Sequence, residues 1–464
     1  MKEIQIPTPG HLRSTMSVRP NSEIPRPVYW AFVAFVFSIP IEGLKLGPVT
    51  LAKVSGLIFF AVYLVYYNPA LSHIPGRKSF PQWPASLWGF GIYLLIWVLH
   101  GLVLPDHFRS RFALLLFTLV QLILIFWVAS GLLRNRELAR HSVLALAGST
   151  VFLACAMLAH LPGFYTVMFL PTGPRVTALD YNPNTLGVFF ALGAVALIGL
   201  RLNPVYKHWI SKSVFLLLMV PVLIAMIKTG CRTAVIICAV GVLVNLLSFS
   251  QLKQKAATWM LIGMLALGMG YLVLNDAGMT ARLDQSVATG SMAGREKIFP
   301  LALSMIREKP LLGWHPVEMW HQLALRIGGH EERDAHNLYL HLLLEVGAIG
   351  AVPFLFGLGW CGWTAWKRRT DHLGLIPFSL WLVVVAGNMA STDHMMKSFW
   401  YVLALSAASA PVLTIKSARS TSFVVASQLG NHRVSKGYAP GKLFHTRTAG
   451  IPLSSLRRGK RRVD

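Results

Sequence analysis

Charge is scarce in this chain, and acidic charge most of all. Only 13% of its 464 residues are charged, with 43 Lys or Arg against 18 Asp or Glu. Hydrophobic residues make up 54% of the chain, and the mean hydropathy is +0.55. Because a soluble domain typically has about 25% charged residues, this composition excludes an ordinary soluble globular protein and indicates a membrane protein.

Metal-ligand and disulfide patterns are also lacking. The four cysteines lie mainly in or beside apolar runs, at Cys155, Cys231, Cys238 and Cys361, and their spacing fits neither a metal centre nor a disulfide framework. A short acidic run contains His330, Glu331, Glu332, Asp334 and His336. It lacks the spacing of a known ligand motif, so we predict no metal and no cofactor.

Long apolar runs are what the sequence has instead. A helix needs about 20 apolar residues to cross a hydrocarbon core of about 30 Å. Twelve apolar runs between charged residues are long enough to be candidate membrane helices. They are approximately 28–41, 49–67, 86–105, 112–133, 143–161, 184–200, 213–227, 233–249, 257–274, 338–366, 375–390 and 399–415. The sequence thus predicts an all-α polytopic membrane protein with about 12 transmembrane helices and a large helical periplasmic loop before the tenth.

Basic residues fix the expected orientation. Placing the N-terminus in the cytoplasm puts most of the 43 Lys and Arg residues in cytoplasmic loops, as the positive-inside rule requires. Residues 1–27 lack the apolar core of a signal peptide and are expected to form a cytoplasmic segment. The transmembrane domain is predicted at 28–415, with a periplasmic loop at 275–337, and 416–464 is predicted to be a basic, disordered cytoplasmic tail.

The periplasmic loop has the pattern of amphipathic helices at 296–308 and 317–327. Such helices lie on a membrane or cap a bundle. The +25 net charge is spread over short loops. We therefore expect these basic residues to contact membrane lipids and not a nucleic acid.

Ionisable groups are almost absent from the predicted helices, apart from Lys53 and Glu345, with Glu42 at one helix end. A transporter usually keeps such groups at mid-membrane, where each costs roughly 2.5–3.5 kcal/mol. Their scarcity, with polar residues concentrated at the outer face, favours an enzyme. A membrane transporter is the alternative of a different class.

The sharpest local pattern is His336-Asn337, followed after nine residues by Gly347-Ala348-Ile349-Gly350. Imidazole titrates near pH 6.5, so a neutral His336 at the interface can remove a hydroxyl proton. The glycines permit close helix packing behind it. The plainer interpretation is that His336 is an interfacial polar residue.

Among the arginines on the predicted outer side, where topology does not retain them, four are considered as candidates: Arg175, Arg232, Arg282 and Arg295. Arg232, in a turn between two helices, can bind phosphate bidentately or snorkel to lipid headgroups. Arg295 starts an amphipathic helix, where backbone N–H groups also attract anions. Arg282 has no comparable context.

Two outer turns complete the set of candidates. Arg175 precedes the Asn182-Pro183-Asn184 turn, whose asparagines turn chemistry alone explains. Asp393, in Ser391-Thr392-Asp393-His394, can orient a base or an arginine, or cap the final helix.

In order and topology these elements resemble the successive signatures of the O-antigen ligase and polymerase superfamily, over roughly residues 175–401. The signatures are Arg175 with Asn-Pro-Asn, Gly230 to Ala234, Gly294-Arg295 with Ile298, Pro310 with Gly313, and His336-Asn337 with Gly347 and Gly350. Two positions depart from that pattern: Cys231 replaces the usual serine, and Trp314 stands where a second glycine motif is usual.

The resemblance implies a metal-independent, inverting membrane glycosyltransferase in the bacterial inner membrane, with a periplasmic active site. Its donor would be a glycan on undecaprenyl pyrophosphate. Its acceptor would be the lipid A core for a ligase, a glycan for a repeat-unit polymerase of O-antigen or exopolysaccharide, or a protein for a protein glycosyltransferase. Arg232 and Arg295 would hold the pyrophosphate, and His336 would deprotonate the acceptor hydroxyl. Further substrate-binding residues would be Arg175, Asn184, Asn337 and Asp393.

Overall fold

The computed structural model of the chain describes residues 24–46, 49–67, 83–170, 173–203, 209–246, 260, 263–264, 267–289, 294–328 and 334–408. The chain divides into two units, Met1–Pro411 and Val412–Asp464. The second unit, with the predicted tail at 416–464, lies outside the described residues, as does most of the predicted segment 1–27.

Helices dominate the first unit. They are α1 (Arg26–Ser38), α2 (Leu51–Tyr67), α3 (Ser86–Val103), α4 (Asp106–Leu132), α5 (Arg136–Leu158), α6 (Pro183–Leu202), α7 (Trp209–Lys228), α8 (Arg232–Leu246), α9 (Ala277–Thr289), α10 (Arg295–Glu308), α11 (Glu318–Ile327), α12 (Leu338–Lys367), α13 (Ile376–Gly387) and α14 (Lys397–Ala408). The helical fold class is confirmed.

The predicted membrane runs coincide with helices wherever they are described; the runs at 233–249, 257–274 and 399–415 lie partly outside the described residues. In the part of the chain that is described, five helices are long and apolar enough to cross a membrane: α3, α4, α5, α6 and α12. The protein is therefore a multi-pass membrane protein. The count of twelve crossings stays a prediction.

Helix α4 starts earlier than the apolar run predicted, because charged residues are tolerated at a helix start. The apolar run begins at residue 112, but α4 starts at Asp106, which pairs with Arg109 across one turn at 2.8 Å. A carboxylate in the first turn is favourable because it faces unpaired backbone N–H groups. Apolar length alone thus underestimates this helix.

The central element is α6, whose residues are almost all buried and which packs on α5, α7, α8 and α13. Small residues let its neighbours approach closely. A Cβ at Gly193 would lie 2.1 Å from the Thr150 hydroxyl oxygen on α5, a contact that only glycine permits. This packing fixes the position of the first turn of α6, which follows the Asn-Pro-Asn turn.

Two short antiparallel hairpins interrupt the helical fold. β1 (Lys45–Leu46) pairs with β2 (Val49–Thr50), and β3 (Thr166–Leu170) pairs with β4 (Gly173–Thr177), which places Met168 opposite Arg175. The all-α prediction missed both hairpins. Strands of two to five residues in a connecting segment leave too short an alternation to distinguish from a loop.

The two amphipathic helices predicted between 275 and 337 are present as α10 and α11. Their apolar faces form a small core of their own, in which Ile298 and Met305 meet Met319 and Leu323. Leu344 on α12 belongs to the same core. The segment is therefore fastened to α12 by apolar packing.

The glycines of the two downstream motifs form one junction. Gly347 interrupts α12 with a φ of 59° and a ψ of −169°, and the Pro310–Trp314 segment lies against the break. There the Ala348 and Ile349 amides donate to the carbonyls of Pro310 and Leu311 at 2.9 and 3.1 Å. The Trp314 amide donates to the Leu344 carbonyl at 2.6 Å. The loop thus supplies the hydrogen bonds that the helix loses.

Substituting Gly347 by Ala is expected to destabilise the fold. Its backbone is close to a region that essentially only glycine occupies, which costs roughly 1–3 kcal/mol for another residue. A Cβ there would also lie 2.2 Å from the Leu311 carbonyl oxygen. Thermal denaturation in detergent should show a lower transition temperature.

The matched control is Gly359→Ala, in the same helix, where a Cβ would meet nothing within 4 Å. This variant should be as stable as the parent or slightly more so, because alanine favours a helix interior by about 1 kcal/mol over glycine. Equal transition temperatures for Gly347→Ala and Gly359→Ala would refute the junction's contribution.

Candidate functional site

Arg175 is held at the start of α6 by three elements. β4 carries the residue, and its Nε donates to the Thr229 carbonyl at 2.8 Å while its NH2 group donates to the Asn184 side-chain oxygen at 2.7 Å. Asn182 caps α6, with Pro183 in the first turn, the arrangement expected of a helix start. Arg175 is only 5% exposed, so its guanidinium is fixed and largely desolvated.

The turn between α7 and α8 brings two more arginines to Arg175. Gly230 has a φ of 63°, and a Cβ there would lie 3.5 Å both from Cγ of Arg175 and from Cδ of Arg282. Arg232, the first residue of α8, donates through NH1 to the Arg282 carbonyl at 3.1 Å. The glycine therefore lets two guanidinium side chains pass close to the turn.

Arg282 is the member that sequence reasoning missed. It lies on α9 and is 7% exposed, although its surrounding sequence shows no motif. Its position follows from the packing of α9 against β4 and α7. An arginine on a helix of mixed polarity is visible in the sequence. Its burial, which marks it as part of the site, is not.

Arg295 begins α10 after Gly294, which has a φ of 88°. Its NH2 group donates to the Ala390 carbonyl at 2.7 Å, and its Nε is buried without a hydrogen-bond partner among the described residues. One donor of the guanidinium thus remains for a ligand.

The four arginines, together called the arginine cluster, repel one another. Burial and, to a lesser extent, the positive charges of Arg282, Arg232 and Arg295 together lower the pKa of Arg175 to about 10. Burial also lowers the pKa values of Arg282 and Arg295. Within the described ranges, Arg175, Arg232 and Arg295 pair with no carboxylate. A cluster of this kind is stabilised by an anion.

His336 lies in the turn that leads into α12. Its side chain is 38% exposed, and its φ of 49° is unusual for a residue with a side chain. Asn337 follows as the N-cap, accepting hydrogen bonds from the amides of Tyr339 and Leu340 at 3.0 and 3.1 Å. The cap fixes the direction in which the histidine leaves the helix.

Asp334 lies beside the His336 ring, with Oδ2 3.7 Å from Nδ1. It accepts hydrogen bonds from His341, at 3.1 Å, and from the Thr392 hydroxyl. Burial would raise the pKa of Asp334, but these hydrogen bonds and the nearby histidines hold it well below its usual range. Asp334 is therefore a carboxylate that can orient His336 and stabilise its protonated form.

The turn at residues 388–393 connects the histidine to the arginine cluster. Its Asn388 and Met389 carbonyls accept from the Leu338 amide and the Asn337 side chain, at 2.9 and 3.1 Å. The next carbonyl, that of Ala390, holds Arg295. The segment that follows His336 and one guanidinium are thus fastened to consecutive residues of one turn.

The same turn reaches the Arg175 end of the site. Asp393 accepts hydrogen bonds from Ser391 at 2.6 Å and from Thr185 at 3.3 Å, and Thr185 is the neighbour of Asn184, which holds Arg175. Five chain segments far apart in the sequence therefore meet at one end of the bundle. They are β4 with the start of α6, the turn before α8, the start of α10, the turn before α12 and the turn after α13.

A site with several fixed cations and an adjacent histidine can bind an anionic ligand, and comparison with protein families gives one match. Residues 214–355 match the family model described as O-Antigen ligase. The predicted family resemblance is confirmed by this match. The O-antigen ligase segment contains Arg232, Arg282, Arg295 and His336, whereas Arg175, Asn184 and Asp393 lie outside it. No curated protein matches the chain.

Two predicted substrate-binding residues have internal hydrogen bonds that account for their positions. Asn337 caps α12 and donates to Met389. Asp393 was expected to orient a base or an arginine, or to cap the last helix. In the described chain its side-chain partners are Ser391 and Thr185, and α14 begins later, at Lys397. Asp334 is instead the carboxylate beside the base.

Asn184→Ala is expected to weaken donor binding without unfolding the O-antigen ligase segment. Removal of a hydrogen bond to a charged group costs about 1.5–3 kcal/mol, which corresponds to roughly 10- to 100-fold in kcat/KM for the donor. Steady-state transfer by purified protein in lipid nanodiscs would measure it. Asn275→Ala is the control, since its side chain donates to the Tyr271 carbonyl four residues earlier and not to the arginine cluster. If Asn184→Ala and Asn275→Ala have equal kcat/KM values for the donor, Arg175 has no role in donor binding.

Proposed function

We propose that this protein transfers a glycan from undecaprenyl pyrophosphate to an acceptor at the periplasmic face of the bacterial inner membrane. We propose further that the acceptor is the lipid A core, which makes the protein an O-antigen ligase. The observation that carries the proposal is the convergence of the arginine cluster and His336 on the turn at 388–393. The family match over residues 214–355 supports it.

The arginine cluster fits the leaving group. Pyrophosphate departure places negative charge on phosphate oxygens, and guanidinium groups bind such oxygens in a bidentate manner. Because the arginines are already fixed by hydrogen bonds, little reorganisation is needed as charge develops. We propose that Arg232, Arg295, Arg175 and Arg282 stabilise that charge and that no metal ion takes part in this step. Omission of Mg²⁺ and Mn²⁺ should then leave the transfer rate unchanged.

His336 fits the opposite half of the reaction. The acceptor hydroxyl oxygen attacks the anomeric carbon as its proton passes to the imidazole, and the bond from that carbon to the pyrophosphate oxygen breaks. A single displacement of this kind inverts the anomeric centre. Asp334, 3.7 Å from His336 Nδ1, stabilises the imidazolium that results.

The sidedness rests on the connectivity. Two consecutive helices, α6 and α7, lie between one pair of segments that meet at the site, and α12 and α13 lie between another pair. This is expected when each pair of helices crosses the membrane and returns. With the N-terminus inside, as the basic loops predict, these segments lie on the periplasmic side. A labelling experiment with cysteines placed in α10 and α11 would test this orientation.

Deletion of the gene, followed by analysis of surface glycans and lipid-linked intermediates, tests the function. A ligase predicts loss of glycan from the lipid A core with full-length polymer stranded on its lipid carrier. Accumulation of single repeat units would instead identify a repeat-unit polymerase and overturn the proposed acceptor. Unchanged glycans with a transport defect would refute the enzyme class.

A further inference from the structure

Three buried side chains behind the His336 turn have their ligand atoms within 4.8 Å of one another. They are His341 and Glu345, one helical turn apart on α12, and His394, in the 3-10 helix Asp393–Met395. Each residue is at most 2% exposed. Residues four apart on a helix share a face, so this face of α12 presents a nitrogen and a carboxylate to His394.

The nitrogens that converge here lack hydrogen-bond partners. His341 Nε2 and both ring nitrogens of His394 are buried without a partner among the described residues. Buried polar atoms in native proteins are almost always satisfied. A neutral imidazole has one ring nitrogen with a free lone pair, so His341 Nε2 and one nitrogen of His394, beside one carboxylate, indicate a ligand that accepts lone pairs.

Hydrogen bonds with neighbouring residues orient the side chains of His341 and Glu345 so that one ligand atom of each faces the other. Asp334 bonds Nδ1 of His341 at 3.1 Å, which leaves Nε2 free. The Tyr93 hydroxyl donates to Oε2 of Glu345 at 2.9 Å, which leaves Oε1, 3.7 Å from His341 Nε2. A carboxylate behind His341 and a hydroxyl behind Glu345 form the kind of arrangement that orients residues around a bound metal ion.

We propose that His341 Nε2, Glu345 Oε1 and a ring nitrogen of His394 bind one divalent transition metal ion, with Zn²⁺ as the best fit. Two imidazoles and a carboxylate are ligands that zinc accepts, at about 2.0–2.2 Å each. Bonds of that length place neighbouring ligand atoms roughly 3.4 Å apart, close to the 3.7 Å between His341 and Glu345. The double positive charge also balances the Asp334 and Glu345 carboxylates.

The ion joins the start of α12 to the segment after the 388–393 turn and contacts no member of the arginine cluster. Its function is structural, so the proposal is independent of the glycosyltransferase assignment. The three ligands are also different residues from those of the acidic run that contains His330 and Asp334. Residues 329–333, which include most of that run, lie outside the described chain. His394 is far from the other two ligands in sequence, which is why their spacing showed no motif.

The test is the zinc content of the full-length protein, purified in detergent with a tag free of histidine, equilibrated with Zn²⁺ and desalted. Elemental analysis is expected to find about one zinc per chain, and replacement by Co²⁺ to give visible d–d absorption. Glu345→Gln and His394→Ala should each lower retained zinc at least tenfold. Zinc should also raise the thermal transition of the parent protein but not that of Glu345→Gln, since an ion that binds only the folded state stabilises it.

His372→Ala is the matched control, because His372 Nε2 is likewise buried without a partner but lies away from the cluster; its zinc content should equal that of the parent. Parent protein that retains less than about a tenth of an equivalent overturns the proposal. Full retention by both Glu345→Gln and His394→Ala means an adventitious ion only and also overturns it. Because the first of these outcomes is read on the parent chain, the test does not depend on the variants folding.

Discussion

His336→Ala is expected to lower the rate of glycan transfer by about 10²–10⁴-fold, the usual contribution of a positioned general base. The ring is partly exposed next to Asp334 and is held in a strained turn, with a φ of 49°. Strain of this kind is commonly retained where function needs it. Removal of the imidazole leaves the arginine cluster intact, so the defect should lie in kcat rather than in donor binding.

The measurement is transfer from a lipid-linked donor by purified protein, with membrane insertion of the variant checked in parallel. His321→Ala is the control: this histidine is exposed on α11, in the same outer segment, and its loss should leave the rate unchanged. A fully active His336→Ala protein inserted at normal levels would eliminate His336 as the base.

Arg232→Ala and Arg295→Ala are each expected to lower the transfer rate by about 10²–10³-fold, the loss found when one preorganised donor to a developing negative charge is removed. Both guanidinium groups are oriented by a main-chain carbonyl, at 3.1 and 2.7 Å. Lysine at either position should restore only part of the rate, since an ammonium group keeps the charge but cannot form the bidentate contact.

Arg326→Ala supplies the control for charge alone. Arg326 lies on α11 and forms an ion pair with Glu308, so its removal changes the net charge of the outer segment without touching the cluster. Its transfer rate should match that of the parent. If Arg232→Ala and Arg295→Ala retain full activity, pyrophosphate binding by the cluster is disproved.

Local pattern was sufficient to predict the helices, and it singled out His336 and three of the four arginines as candidates. Helical periodicity and apolar length are properties of neighbouring residues, and α10 and α11 appear where amphipathic spacing predicted them. The arginines at 175, 232 and 295 stood out because each lies beside a glycine or an Asn-Pro-Asn turn.

Partners distant in the sequence could not be found in this way. Arg282 joins the cluster only because α9 packs on β4, and Asp334 becomes the orienting carboxylate only because Thr392 and His341 hold it. The junction at Gly347 is likewise formed by two motifs that the sequence shows separately. Tertiary contacts decide these positions, and no local spacing encodes them.

The turn at 388–393 has a consequence for how sequences of this kind can diverge. It holds Arg295 and the His336 segment largely through the main-chain carbonyls of Asn388, Met389 and Ala390, and the Met389 side chain is 61% exposed. Side chains at 389 and 390 can therefore be exchanged while the geometry of the site persists. Homologous proteins that share this scaffold need show no recognisable motif in it, so a search by motif would pass over the element that sets the distance between His336 and Arg295.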